Sequence, residues 1–94
     1  MENHEWIEVA NAIRLLLDKY SDQLSRDTVD GVNHYLNHDE YEMAFEGLCI
    51  GLMNGPAFSA QDRQRCQAMA KRLGLDRDSV FDSEFWQKLT TPKV

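Results

Sequence analysis

Residues 40–54 read Glu40-Tyr41-Glu42-Met43-Ala44-Phe45-Glu46-Gly47-Leu48-Cys49-Ile50-Gly51-Leu52-Met53-Asn54, and this stretch decides the fold. Tyr41, Phe45, Leu48 and Leu52 stand four, three and four residues apart, the step of one face of an α-helix. Ala44 and Cys49 widen that stripe. Met43, Ile50 and Met53 place apolar atoms on the remaining faces, so the second half of the helix is apolar nearly all round. A helix of that kind sits at the centre of a domain with neighbours covering it. Gly47 and Gly51 share a face, and each costs about 1 kcal/mol of helix propensity relative to Ala, which implies close approach by another helix. Gly55-Pro56 is the stop, with Gly suited to a left-handed position after the last turn.

Working outward, Trp6, Val9, Ala10, Ile13, Leu16, Leu17 and Tyr20 trace one face of a first helix over about residues 4–21. Ser25 can cap a short second helix over about 26–36, carrying Val29, Val32 and Leu36 on one stripe. Asn37, His38 or Asp39 punctuates it, since Asn and Asp favour caps and turns over helix interiors. On the other side, Ser59 opens a fourth helix, with Asp62 in the acid slot of a capping box. Cys66, Met69, Ala70 and Leu73 form its apolar stripe, and Gly74 ends it. Leu75 to Asp82 reads as a charged connection. Ser83 can cap a last short helix holding Phe85, Trp86 and Leu89, followed by a frayed tail over 90–94. No stretch alternates with period two. The expectation is therefore an all-α fold, a compact single-domain bundle of four to five short helices spanning residues 1–94.

Composition narrows the function classes. Sixteen acids against ten Lys and Arg give a net charge of −6, which argues against nucleic-acid binding, because a phosphate backbone needs a cationic surface. No apolar run approaches the length of a membrane span. The N-terminal residues lack a basic and then apolar leader. Cys49 and Cys66 have no metal-ligand spacing, and they read as reduced thiols of a cytoplasmic protein.

Catalytic and metal chemistry finds little support. Both cysteines fall on core stripes, where a thiol behaves as a small hydrophobe. There is no glycine-rich phosphate loop. Asp30, His34, His38 and Glu42 are each four apart and on one unbroken helix could hold zinc, but the boundary at Asn37–Asp39 breaks their register. Asp78-Ser79-Val80 resembles the Asp-Ser-Leu phosphopantetheine site of acyl carrier proteins, a chance likeness, since only 14 residues follow it, too few for the rest of that fold. The expectation is a protein without enzymatic activity, cofactor or metal.

Charge distribution carries more. Up to Gly55 there are eleven acids and three bases; from Pro56 onward five acids meet seven bases. Between Asp27 and Glu46 stand six acids and no Lys or Arg. A patch of one sign focuses its field and speeds encounter with a partner of the other sign. Tyr35 and Tyr41 flank the junction within that acidic stretch, and interface centres are enriched in aromatic residues.

Residues 34–75 resemble small helical immunity proteins that guard bacteria against polymorphic and contact-dependent toxins, the MafI and CdiI type. The resemblance is carried by His34-Tyr35-Leu36-Asn37-His38-Asp39-Glu40-Tyr41-Glu42-Met43-Ala44-Phe45-Glu46-Gly47-Leu48, by Ala44, Leu48 and Leu52 at helical spacing, by the capping Ser59, and by the exit Leu73-Gly74-Leu75. It covers about half the chain. It implies a cytoplasmic protein that binds the C-terminal domain of a cognate toxin, often a nuclease such as an RNase, and blocks it. On this reading Asp27, Asp30, Asp39, Glu40, Glu42 and Glu46 make much of the contact surface, with Tyr35 or Tyr41 as an aromatic anchor. The chain would act as a monomer or weak homodimer, touching neither nucleic acid nor membrane. The competing expectation is a helical adaptor or regulatory subunit of another complex.

Overall fold

A computed structural model describes residues 4–55 and 57–91 of the chain. Five helices follow in order among them: α1 His4–Lys19, α2 Arg26–Asn37, α3 Tyr41–Met53, α4 Ala60–Arg72 and α5 Phe85–Thr90. There is no strand among the described residues, and the protein is an all-α domain.

The helix at the centre is α3, which packs against each of the other four. Ala44, Phe45, Leu48, Cys49 and Leu52 are all buried on it. Val9, Ile13 and Leu17 of α1, with Tyr20 just after it, close one side, and Val32 and Leu36 of α2 another. Cys66 and Ala70 of α4, with Phe85 and Leu89 of α5, complete the core. Fully burying a Phe or Leu side chain stabilises by about 1.5–3 kcal/mol, and this one core is what a chain of this length can build. The Cα radius of gyration of 12.3 Å agrees with the roughly 12.4 Å that a packed domain of this length should have.

Of the two glycines of α3, Gly51 meets the close approach expected of the pair and Gly47 does not. A Cβ on Gly51 would come within 2.8 Å of Thr28 Cγ2 and 3.1 Å of Leu24 Cδ2, so α2 and the turn before it approach the bare backbone there. At Gly47 the nearest atoms belong to Phe81 and Val32, at 4.0 Å.

Helix ends follow local chemistry. The Ser25 hydroxyl accepts the Thr28 amide at 3.1 Å and the Ser59 hydroxyl accepts the Asp62 amide at 3.1 Å, so both serines cap as their position implies. After α4, Gly74 takes φ +77°. Its amide donates to the Lys71 carbonyl, and the Leu75 amide donates to that of Ala70, the paired bonds of a Schellman ending. Three expectations are corrected. Gly55 is not left-handed; among the described residues only Asp39 and Gly74 have positive φ. Ser83 does not cap α5: Glu84 occupies that position without a side-chain bond, and Asp82 accepts the Glu84 amide at 2.9 Å instead. Asp62 does not close a capping box, because its carboxylate turns away to α1. Pro56 and residues 92–94 of the stretch expected to be a tail lie outside the described residues, and Thr90, which that stretch included, belongs to α5.

Candidate docking surface

The junction between α2 and α3 is built as a second Schellman ending. The Glu40 amide donates to the Tyr35 carbonyl at 2.9 Å and the Asp39 amide to that of Leu36 at 3.2 Å. Asp39 holds the left-handed position at φ 57°, which Asp tolerates better than most side chains. The chain thereby reverses in a few residues and sets the acids of α2 beside those opening α3. Asp27, Asp30, Asp39, Glu40 and Glu42 are all exposed. The ion pairs among the described residues use other acids: Glu8, Asp62, Asp82 and Glu84.

The aromatic candidates are half-buried. Tyr41 stacks on Trp6 with centroids 5.2 Å apart, and its hydroxyl donates to Asp39 Oδ1 at 3.0 Å. Tyr35 lies between the rings of His34 and Phe81, at 5.6 and 5.7 Å.

Glu46 is not part of the acidic surface. It is fully buried, and its carboxylate accepts three successive backbone amides from the far end of the chain. Val80 donates to Oε1 at 2.6 Å; Phe81 and Asp82 donate to Oε2 at 2.8 and 3.0 Å. The reason is the central position of α3: the face carrying Glu46 is covered by the 76–84 connection. A buried charge persists only when its oxygens are satisfied, and the three amides satisfy them.

This clamp determines what the loop shows to solvent. Val80 and Phe81 are 43% and 49% exposed, although their amides are fixed to the core. Phe81 lies over the seam between α2 and α3, in a shallow hollow of about 190 Å³ shared with Asp27, Tyr35 and Gly47. Val80 borders a second hollow of about 260 Å³ with Asp39, Glu40, Glu42 and Met43. Two apolar side chains thus stand in the middle of the acidic surface, with carboxylates on both flanks. In the sequence both lie within the connection read as charged, Leu75 to Asp82, and neither stands among the candidate contact residues. The available signal was an apolar pair, Val80-Phe81, inside a polar run.

The remaining polar clusters are structural. The Tyr20 hydroxyl and Lys19 Nζ each donate to Asp62 Oδ2 at 2.6 Å, and the Ser59 amide donates to the Tyr20 hydroxyl at 3.2 Å. The Lys19 ammonium and then the Tyr20 hydroxyl hold the Asp62 carboxyl below the usual carboxylate range, and Asp62 in turn raises Lys19. Together they tie the end of α1 to the start of α4. Arg63 Nη1 and Gln67 Nε2 donate to the Leu89 carbonyl at 2.8 and 2.9 Å, closing α5. Lys88 pairs with Asp82 at 2.8 Å and holds its carboxyl down. A hollow of about 430 Å³ beside Ile50, Met53 and Thr91 is therefore bordered by Arg63 and Lys88, cations already engaged. Cys49 and Cys66 are buried, and burial, with the Cys66 thiol beside it, pushes Cys49 well up.

His34 and His38 rings lie 4.4 Å apart, but α2 stops at Asn37. Among the described residues no three His, Cys, Asp or Glu side chains gather as metal ligands. No helix among them is long and apolar enough to cross a membrane.

No family model, curated protein or solved structure matches the chain. The geometry of this surface therefore carries the functional reading.

Proposed function

We propose that this chain is an immunity protein: a binding protein without catalysis of its own that neutralises the domain of a cognate bacterial toxin, a nuclease acting on RNA, inside the cytoplasm. The observation that supports the reading is the set of five exposed carboxylates, Asp27, Asp30, Asp39, Glu40 and Glu42, around the rigid α2–α3 junction. A nuclease cleft is cationic because it must hold phosphate. Carboxylates on a fixed scaffold pair with the Lys, Arg and His of such a cleft through short charge-assisted hydrogen bonds and keep substrate out by occupying its place. A standard interface of about 800 Å² per partner would take roughly an eighth of the 6189 Å² accessible surface.

The test is co-expression with the product of the neighbouring gene, then kinetics of the purified pair. Wild-type protein should bind and abolish cleavage of RNA. The triple variant Asp27→Lys, Asp39→Lys, Glu42→Lys should keep its helicity and associate at least about tenfold more slowly at low salt, the difference shrinking as salt rises. Unchanged association in that variant would remove the acidic surface from the mechanism. A bound partner that is no toxin would make the chain an adaptor.

A further inference from the structure

We infer that Val80 and Phe81 form the apolar anchor of the acidic surface, and that their occupant is a basic protein with an apolar socket set among its cationic side chains. The inference rests on the binding reading above and goes beyond it by moving the centre of the interface from the acidic helices to the loop between α4 and α5.

The first ground is rigidity. An exposed Phe on a loose loop would have to be ordered on binding, at about 0.5–1.5 kcal/mol per immobilised side chain. Here the amides of Val80, Phe81 and Asp82 are already fixed by Glu46 at 2.6–3.0 Å, and the Phe81 ring leans on Tyr35. The cost is met before the partner arrives. The second ground is placement. Interfaces concentrate their energy in a few central aromatic or large side chains ringed by polar contacts that exclude water. Val80 and Phe81 occupy that central place, with Asp27 on one flank and Asp39, Glu40 and Glu42 on the other.

The third ground is charge, which selects the occupant. A second copy docking through the same patch would set two acidic rims against each other, and like charges across an interface cost several kcal/mol. An anionic lipid surface or a nucleic acid would meet the same repulsion. A basic protein surface gains from the rim and from the anchor together.

The two contributions separate kinetically, because rim charges act on association and buried anchors on dissociation. The experiment measures surface-plasmon kinetics and affinity of the full-length chain against the protein encoded immediately upstream, made catalytically inactive. Phe81→Ala, with Val80→Ser as a second variant, should keep wild-type circular dichroism, since both side chains are about half exposed. Affinity should fall about 30-fold for Phe81→Ala, the size of a central interface residue, almost wholly through faster dissociation and with the salt dependence unchanged. If both variants bind within threefold of wild type while the triple Lys variant loses affinity, the anchor is refuted and the immunity reading stands. Absence of binding by the wild-type chain refutes both. A wild-type chain that sediments as a dimer, with Phe81→Ala monomeric, refutes the basic occupant in favour of a second copy.

Discussion

Glu46→Ala removes the carboxylate that joins the core to the Val80–Asp82 segment. Each hydrogen bond to a charged group contributes about 1.5–3 kcal/mol net, and the structure has three. Against their sum stands the cost of burying the charge itself, several kcal/mol, which the truncation relieves. The three amides are only partly buried, so water can replace some of what they lose. The balance is a destabilisation of about 2–4 kcal/mol, within the range for breaking a buried polar network. A domain of this length has about 5–14 kcal/mol in total, so the variant should remain folded with a reduced margin. Urea unfolding followed by circular dichroism should show a lower midpoint with an unchanged slope. Native-state hydrogen exchange should localise the loss: the amides of Val80, Phe81 and Asp82 should exchange faster by more than the global change accounts for. Stability within about 0.5 kcal/mol of wild type, with those three amides still protected, would refute the clamp.

Two glycines in neighbouring helices should respond with opposite sign. Gly31→Ala meets nothing within 4 Å and should raise stability by about 0.5–1 kcal/mol, whereas Gly51→Ala, driven against Thr28 and Leu24, should lower it by about 1–2 kcal/mol; thermal melts decide both. Asp62 is held below its unfolded value by Lys19 and Tyr20, so its contribution is present above about pH 4 and is lost as pH falls through the lower folded value. The stability gap between wild type and Asp62→Asn should therefore narrow between pH 5 and pH 2, as urea midpoints will show. Cys49 and Cys66 should react with a thiol reagent at pH 8 only at the rate of opening, and both at once in denaturant, because both are buried away from the reagent; immediate labelling of the native protein would contradict the packing.

The architecture was legible because helices announce themselves locally. Steps of three and four gave the stripes of α1, α3 and α4, and Ser25, Ser59 and Gly74 marked ends by chemistry that depends on neighbours in sequence. What escaped was non-local. Glu46 lies off the Tyr41-Phe45-Leu48-Leu52 stripe, and an acid in that position ordinarily faces water. Its partners are 34 to 36 residues away, beyond anything periodicity reports. α3 sits at the centre of the bundle, and an acid on a covered face of it must find donors. Asp62 escaped in the same way: its place suggested a local box, while the buried Tyr20 hydroxyl 42 residues earlier claims the carboxylate. Asp27, Asp30, Asp39, Glu40 and Glu42 stayed at the surface because α2 and the opening turn of α3 form the outer edge of the bundle.

For the isolated chain, the loop after α4 combines two costs. A buried carboxylate is an expensive way to hold a segment, and a well-packed apolar side chain of similar volume would often serve stability equally well. Leaving Val80 and Phe81 half exposed forgoes burial worth about 25 cal/mol per Å² of apolar surface. Neither feature improves the core, since Phe85 and Leu89 fill it from the next helix. What the pair of features does achieve is a fixed apolar projection at one place, between two groups of acids. A carboxylate accepting successive amides sets the position and direction of the backbone, which an apolar contact does not. On the proposal made above, covering Phe81 recovers the burial forgone in the isolated chain, and the flanking acids favour a positively charged occupant.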